Sequence, residues 1–220
     1  MTCRAAERPF LLSATAIQES DDERVFETSL SWQRAGASRA LDFELEYHHT
    51  PAWSWQLGLS SERVGGDEPR RERGIELEIQ HGLIDPDRAG IGLGLSATCS
   101  AQRQSGADQR MWQRAWTLAV PVSARVAQGW VHVNIGVENI SGDGSRPWLA
   151  VATQQRVSRS VDLLAEVAAV QRREHLAHAG MRWWLRRDKH AIDITVGRRG
   201  GEDGSSTLLT LGWSLMDLSF

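Results

Sequence analysis

Lysine is all but missing from this 220-residue chain: Lys189 is the only one, and arginine supplies the rest of the positive charge. Acidic residues still outnumber basic ones, 28 to 25, for a net charge of −3. A balance this close to neutral gives no electrostatic reason for nucleic acid or an anionic membrane surface as partner. Cysteine is equally scarce. Cys3 and Cys99 cannot build a disulfide framework, and their spacing is not that of a metal site. No stretch of about 18 consecutive apolar residues occurs, which excludes a spanning helix. The opening MTCRAAERPF has no apolar core of a signal peptide. The expectation is therefore a chain that stays inside the cell or one that begins after its leader.

What is present is alternation. In LDFELEYHH, Leu41, Phe43, Leu45 and Tyr47 take turns with Asp42, Glu44, Glu46 and His48. Side chains alternate across a strand, so this segment has one apolar face and one acidic face. Similar segments recur along the chain: RVFETSLSWQ, WSWQLGLSSER, GIELEIQHGL, GIGLGLSATCS, WQRAWTLAVPVSA, WVHVNIGVEN, PWLAVATQQR, SVDLLAEVAAVQ, LAHAGMRWWLR, HAIDITVG and STLLTLGWSLMDLSF. With LDFELEYHH these make twelve expected strands over residues 24–220, read as one domain. SVDLLAEVAAVQ has helical propensity, but its length and neighbours suit a strand. Residues 1–23 stand apart as an extension. Within them FLLSATAIQ, Phe10 to Gln18, could add a strand or occlude the interior.

The connections are rich in glycine, aspartate and proline, and long ones (GGDEPRRE, AQRQSGADQR, ISGDGSR, RGGEDGS) alternate with short ones (TPA, QG, SRS, RDK). Long loops on one side and tight turns on the other are a habit of outer-membrane barrels. The polar faces carry many glycines and serines beside the charges. Trp32, Trp53, Trp55, Trp112, Trp116, Trp130, Trp148 and Trp183 fall near strand ends, where aromatic girdles meet the lipid interface. The expected fold is all-β, a closed antiparallel transmembrane β-barrel of about 12 strands ending on Phe220. The last segment breaks the pattern. Leu209, Leu211, Trp213 and Leu215 share one face and Met216, Leu218 and Phe220 the other, so a bulge near Leu215 is needed to rejoin them.

From about residue 70 onward, GIELEIQHGLIDPDRAGIGLGL, VHVNIGVEN, LLAEVAAVQR, GMRWWLRRDKHAIDITVGRR and the closing TLGWSLMDLSF follow in an order that resembles a known family. These are the small outer-membrane proteins regarded as transporters of the phenol meta-degradation pathway. The resemblance covers roughly two thirds of the chain. It implies an outer-membrane location, lipid as surroundings and a small solute as cargo.

On this reading Asp42, Glu44, Glu46, Glu76, Glu78, Glu138 and Glu166 line a lumen, with His132 and Asn134 near them. Arg182 and Arg186 face these acids from late strands. Opposed carboxylates and guanidiniums would form a constriction that sorts solutes by charge. Charges that pair and plug the barrel are the competing structural reading. No cofactor or metal is expected. The pair His48–His49 points to opposite faces of a strand, and DPD at 85–87 lacks the pattern of a calcium loop. No Gly-x-Ser-x-Gly elbow marks a hydrolase. A soluble lipid-binding barrel is a further alternative, with Leu45, Ile75, Leu77 and Ile79 turned inward around a ligand.

Overall fold

In the computed structural model, described for Phe10 and residues 13–16, 25–65, 69–106, 110–170, 174–201 and 204–218, twelve antiparallel strands close into a barrel. They are β1 (Val25–Ala35), β2 (Ser38–Thr50), β3 (Trp53–Val64), β4 (Arg70–Ile84), β5 (Ile91–Ser105), β6 (Arg110–Val126), β7 (Gly129–Ile140), β8 (Gly144–Arg156), β9 (Val161–Val170), β10 (Glu174–Arg186), β11 (His190–Gly201) and β12 (Gly204–Leu218). One helical turn, α1 (Pro86–Ala89), joins β4 to β5. Each strand pairs with its sequence neighbours, and β1 closes on β12 from Phe26 opposite Leu218 to Ala35 opposite Leu208. Closure leaves no sheet edge, which a bilayer demands because hydrocarbon offers nothing to an unpaired backbone group. Strands of 10 to 17 residues meet or exceed the roughly 9–11 that a tilted strand needs to cross it. Phe220 lies outside the described residues.

The apolar faces point outward. Ile75 and Leu77 are 49% and 47% exposed while Glu76 between them is 4% exposed. Leu41 and Phe43, Ile192 and Ile194, and Leu211 and Trp213 are likewise exposed, with Asp193 and Ser214 buried behind them. This arrangement rules out the soluble ligand-binding alternative, which required Ile75 and Leu77 to turn inward. An outer wall of leucine, isoleucine, valine and tryptophan is stable against lipid and unfavourable against water. An apolar recess of about 650 Å³ opens on that wall between Trp53, Ile79, Leu95, Leu118 and Val137.

Two features depart from the sequence pattern. The expected alternation of long loops and short turns is not seen: connections reach five residues at one end and six at the other. Strands β4, β5, β8 and β11 run on through Arg70–Arg73, Ala101–Ser105, Gly144–Arg146 and Arg198–Gly201. The ladder is a backbone property, so it continues where the side-chain alternation has ended. Trp148 is the second departure. It is turned inward and only 6% exposed, unlike Trp53, Trp55, Trp112, Trp116 and Trp183 on the outer wall. The expected bulge in β12 is present. Between Phe26/Leu218 and Thr28/Leu215 the register steps by one residue, and Asp217 adopts a φ of 53°.

Candidate functional site: the barrel interior

Strand register carries the polar residues inward at several heights. Glu76, Glu78, His132, Glu138, Glu166 and Arg182 are buried, and Asp42, Glu44 and Glu46 are half-buried. Arg186 does not join them: it is exposed. The register of β10 against β11 slips between Trp184 and Arg186, so that Arg186 opposes His190 and the alternation is lost. Arg187 takes the inward place, its Nη1 donating to Asp162 Oδ1 at 2.7 Å.

The interior cations are matched to acids on the adjacent strand. Arg182 stands directly opposite Asp193 and donates two hydrogen bonds to it, Nε to Oδ1 at 2.7 Å and Nη2 to Oδ2 at 3.1 Å. Glu138 opposes Arg146 at 3.4 Å, and Glu166 opposes His178 with Oε2 2.7 Å from Nε2. The guanidiniums of Arg182 and Arg187 both lie over the ring of Trp184, which donates from Nε1 to Asp162 at 2.9 Å. On the early strands Glu72 accepts from Arg70 and from Gln102, and Glu78 accepts from Thr98. Neutralisation thus runs along the wall between neighbouring strands. Arg182, expected to face the acids of early strands, is engaged by its own neighbour.

Two features of the interior have only faint signals in the sequence. Ser13–Ala16 lie inside the barrel without strand pairing, their backbone held by wall side chains. Asn134 accepts from Ala14 N at 3.2 Å and donates to Ala14 O at 3.0 Å. Ser123 Oγ accepts from Ala16 N at 2.7 Å, and Gln80 Nε2 donates to Thr15 O at 2.6 Å. Ser13 Oγ donates to Glu166 at 2.7 Å, and Phe10 packs with Ala152, Leu164 and the His132 ring. Gly92 makes room: a Cβ there would stand 2.7 Å from Ala16 O. Nearer the other end, Trp148, Ala150, Ala168, Val170, Leu176 and Leu208 form an apolar interior layer. Trp148 packs onto Gly136, where a Cβ would come within 2.5 Å of its Nε1. For Ser13–Ala16 the signal was FLLSATAIQ, the segment named as able to occlude the interior, with Gly92 in GIGLG; for the apolar layer it was Gly136 in NIG.

A closed twelve-strand barrel with an apolar wall outside and a polar interior has the architecture of bacterial outer-membrane proteins. Among solved structures, the NanC porin aligns over 86% of this chain and 98% of its own at 7% identity and a TM-score of 0.61. The translocator domain of the autotransporter NalP from Neisseria meningitidis aligns over 90% of this chain and 89% of its own, at 12% identity and 0.55. The P. putida toluene transporter TodX aligns over 96% and 95%, at 9% identity and 0.51. At such identities the likeness is one of fold. No protein-family model matches the sequence, and no curated protein does. The resemblance to phenol meta-degradation proteins therefore finds support only at the coarser level of small outer-membrane barrels.

Proposed function

We propose that the protein is a narrow outer-membrane channel or transporter through which a small solute diffuses down its gradient, without cofactor, catalysis or energy coupling. Asp42, Glu44, Glu46, Glu76, Glu78, His132, Glu138, Glu166 and Arg182 would line the route. Ser13–Ala16 and the layer around Trp148 would set its narrowest points. The observation that carries this reading is the manner in which Ser13–Ala16 are held: by side-chain hydrogen bonds to Gln80, Ser123, Asn134 and Glu166, with no strand ladder. Such bonds contribute only about 0.5–1.5 kcal/mol each, so a segment held by them can leave its seat without unfolding the barrel. Apolar interior layers obstruct ions by shedding water, which suits a route for weakly charged solutes. The sequence resemblance to meta-degradation transporters and the hydrocarbon channel among the structural neighbours support the same class of cargo.

A structural barrel with a closed interior is the second reading, and the same occupied interior favours it. Planar-bilayer recordings of the refolded chain and of a variant lacking residues 1–20 separate the two. A channel gives brief or small current steps in the full chain and larger, steadier ones after deletion. Silence in both, with folding intact by heat-modifiable gel migration, would leave the structural barrel.

A further inference from the structure

We propose that Glu27, Glu46 and His48 form a binding site for a divalent transition-metal ion on the interior wall, at the end of the barrel where β1 begins. The period of two puts Glu46 and His48 on the same face of β2. Register then sets Glu27 of β1 directly opposite Glu46, and Val25 opposite His48. One donor atom from each of the three residues lies within 4.8 Å of the other two, and His48 Nε2 is 3.5 Å from Glu46 Oε1. Ligands of a tetrahedral zinc at about 2.0–2.2 Å stand about 3.4 Å apart, a closing movement that glutamate side chains make by rotation alone. His49, the other half of the histidine pair, is exposed and takes no part.

A second feature points to an occupant. Beside the cluster is a cavity of about 30 Å³, bordered by Glu27, Glu44, Glu46, Ser29 and Ser214. Ser214 Oγ is buried there, the residue being 2% exposed, and has no hydrogen-bond partner. A space of this size holds one water. A water completing the coordination of a metal held by Glu27, Glu46 and His48 would give that hydroxyl its partner. Two carboxylate oxygens and one imidazole nitrogen suit Zn²⁺, with Mn²⁺ or Fe²⁺ weaker in the same site. Calcium takes oxygen ligands, so an imidazole nitrogen in the set favours the transition metal. Because β1 is the strand that closes the barrel, an ion shared by β1 and β2 would brace that end. The site stands whether or not solute crosses the barrel.

The test uses the full chain refolded in detergent and stripped of metal with a chelator, then titrated with Zn²⁺ by calorimetry. A single equivalent binding in the micromolar range is expected, with affinity lowered at least about tenfold in Glu46→Gln and in His48→Gln. Asp143→Asn, altered at an exposed acid in the connection between β7 and β8, should bind as the parent does. Zn²⁺ should also raise the unfolding midpoint of the parent and leave that of His48→Gln unmoved. No stoichiometric binding, or equal binding by the parent and His48→Gln, would overturn the site. If His48→Gln fails to fold, Glu27→Gln takes its place with the same expectation.

Discussion

Arg182 and Asp193 illustrate how single residues are held in this interior. Both side chains are 4% exposed, and the guanidinium fork meets the carboxylate with two hydrogen bonds from directly opposite positions. Removing one partner of such a pair leaves an uncompensated buried charge, which costs about 3–5 kcal/mol, whereas replacing both by apolar residues is often neutral. Asp193→Ala should therefore lower the urea midpoint in detergent sharply, and Arg182→Met with Asp193→Leu should recover most of the loss. An Asp193→Ala barrel as stable as the parent would mean that water reaches Arg182 and screens it. Period two revealed that Arg182 faces inward, but it also placed Arg186 inside, and a position near a strand end placed Trp148 in the girdle. A slip of one residue between Trp184 and Arg186 exchanges Arg186 for Arg187, and no side-chain pattern records such a slip. Trp148 obeys the alternation, lying on the same face of β8 as Ala150 and Ala152. What misled was its residue type, which an outer girdle and an inner apolar layer use equally well.

The strands were readable because each repeats an apolar–polar alternation over most of its length, and the β12 bulge was readable because that alternation changes face after Leu215. Strand ends were not, since beyond the apolar band both faces are polar while the backbone ladder continues. Ser13–Ala16 make a different case: the segment is short, weakly polar and held through wall side chains, so its seat shows only in what the wall omits. Gly92 is the clearest such omission. A valine there would bring a Cβ to 2.7 Å from Ala16 O and 3.1 Å from Pro86, a distance that backbone cannot accept without moving. Gly92→Val should thus unseat Ser13–Ala16 and raise single-channel conductance toward that of the chain lacking residues 1–20. Gly58→Ala, where the added Cβ meets Glu76 at 3.4 Å, an ordinary contact, should leave the current unchanged. Equal currents from Gly92→Val and the parent would show that the segment does not limit passage.

The molecule as a whole is an inverted globule. Most of its large aliphatic side chains are on the outer wall and its buried acids inside, so in a membrane its stability would belong jointly to the chain and to the surrounding hydrocarbon. Depth in that hydrocarbon becomes a measurable coordinate. Leu77 sits midway along β4, opposite Leu57 and Cys99, and points outward. Ile91 also points outward, on the face of Leu95, but is the first residue of β5. An arginine on the lipid face costs about 2–4 kcal/mol at the bilayer midplane and about 0–1 kcal/mol near the interface. In lipid vesicles, Leu77→Arg should therefore destabilise the barrel by the larger amount and Ile91→Arg by little. Both residues are comparably exposed, at 47% and 53%, so a water-facing surface would tolerate both arginines alike. Equal and small losses at the two positions would contradict the transmembrane placement of β4. A large loss at Leu77 alone would fix the middle of the barrel at the middle of the membrane, which no measurement of solute passage could do.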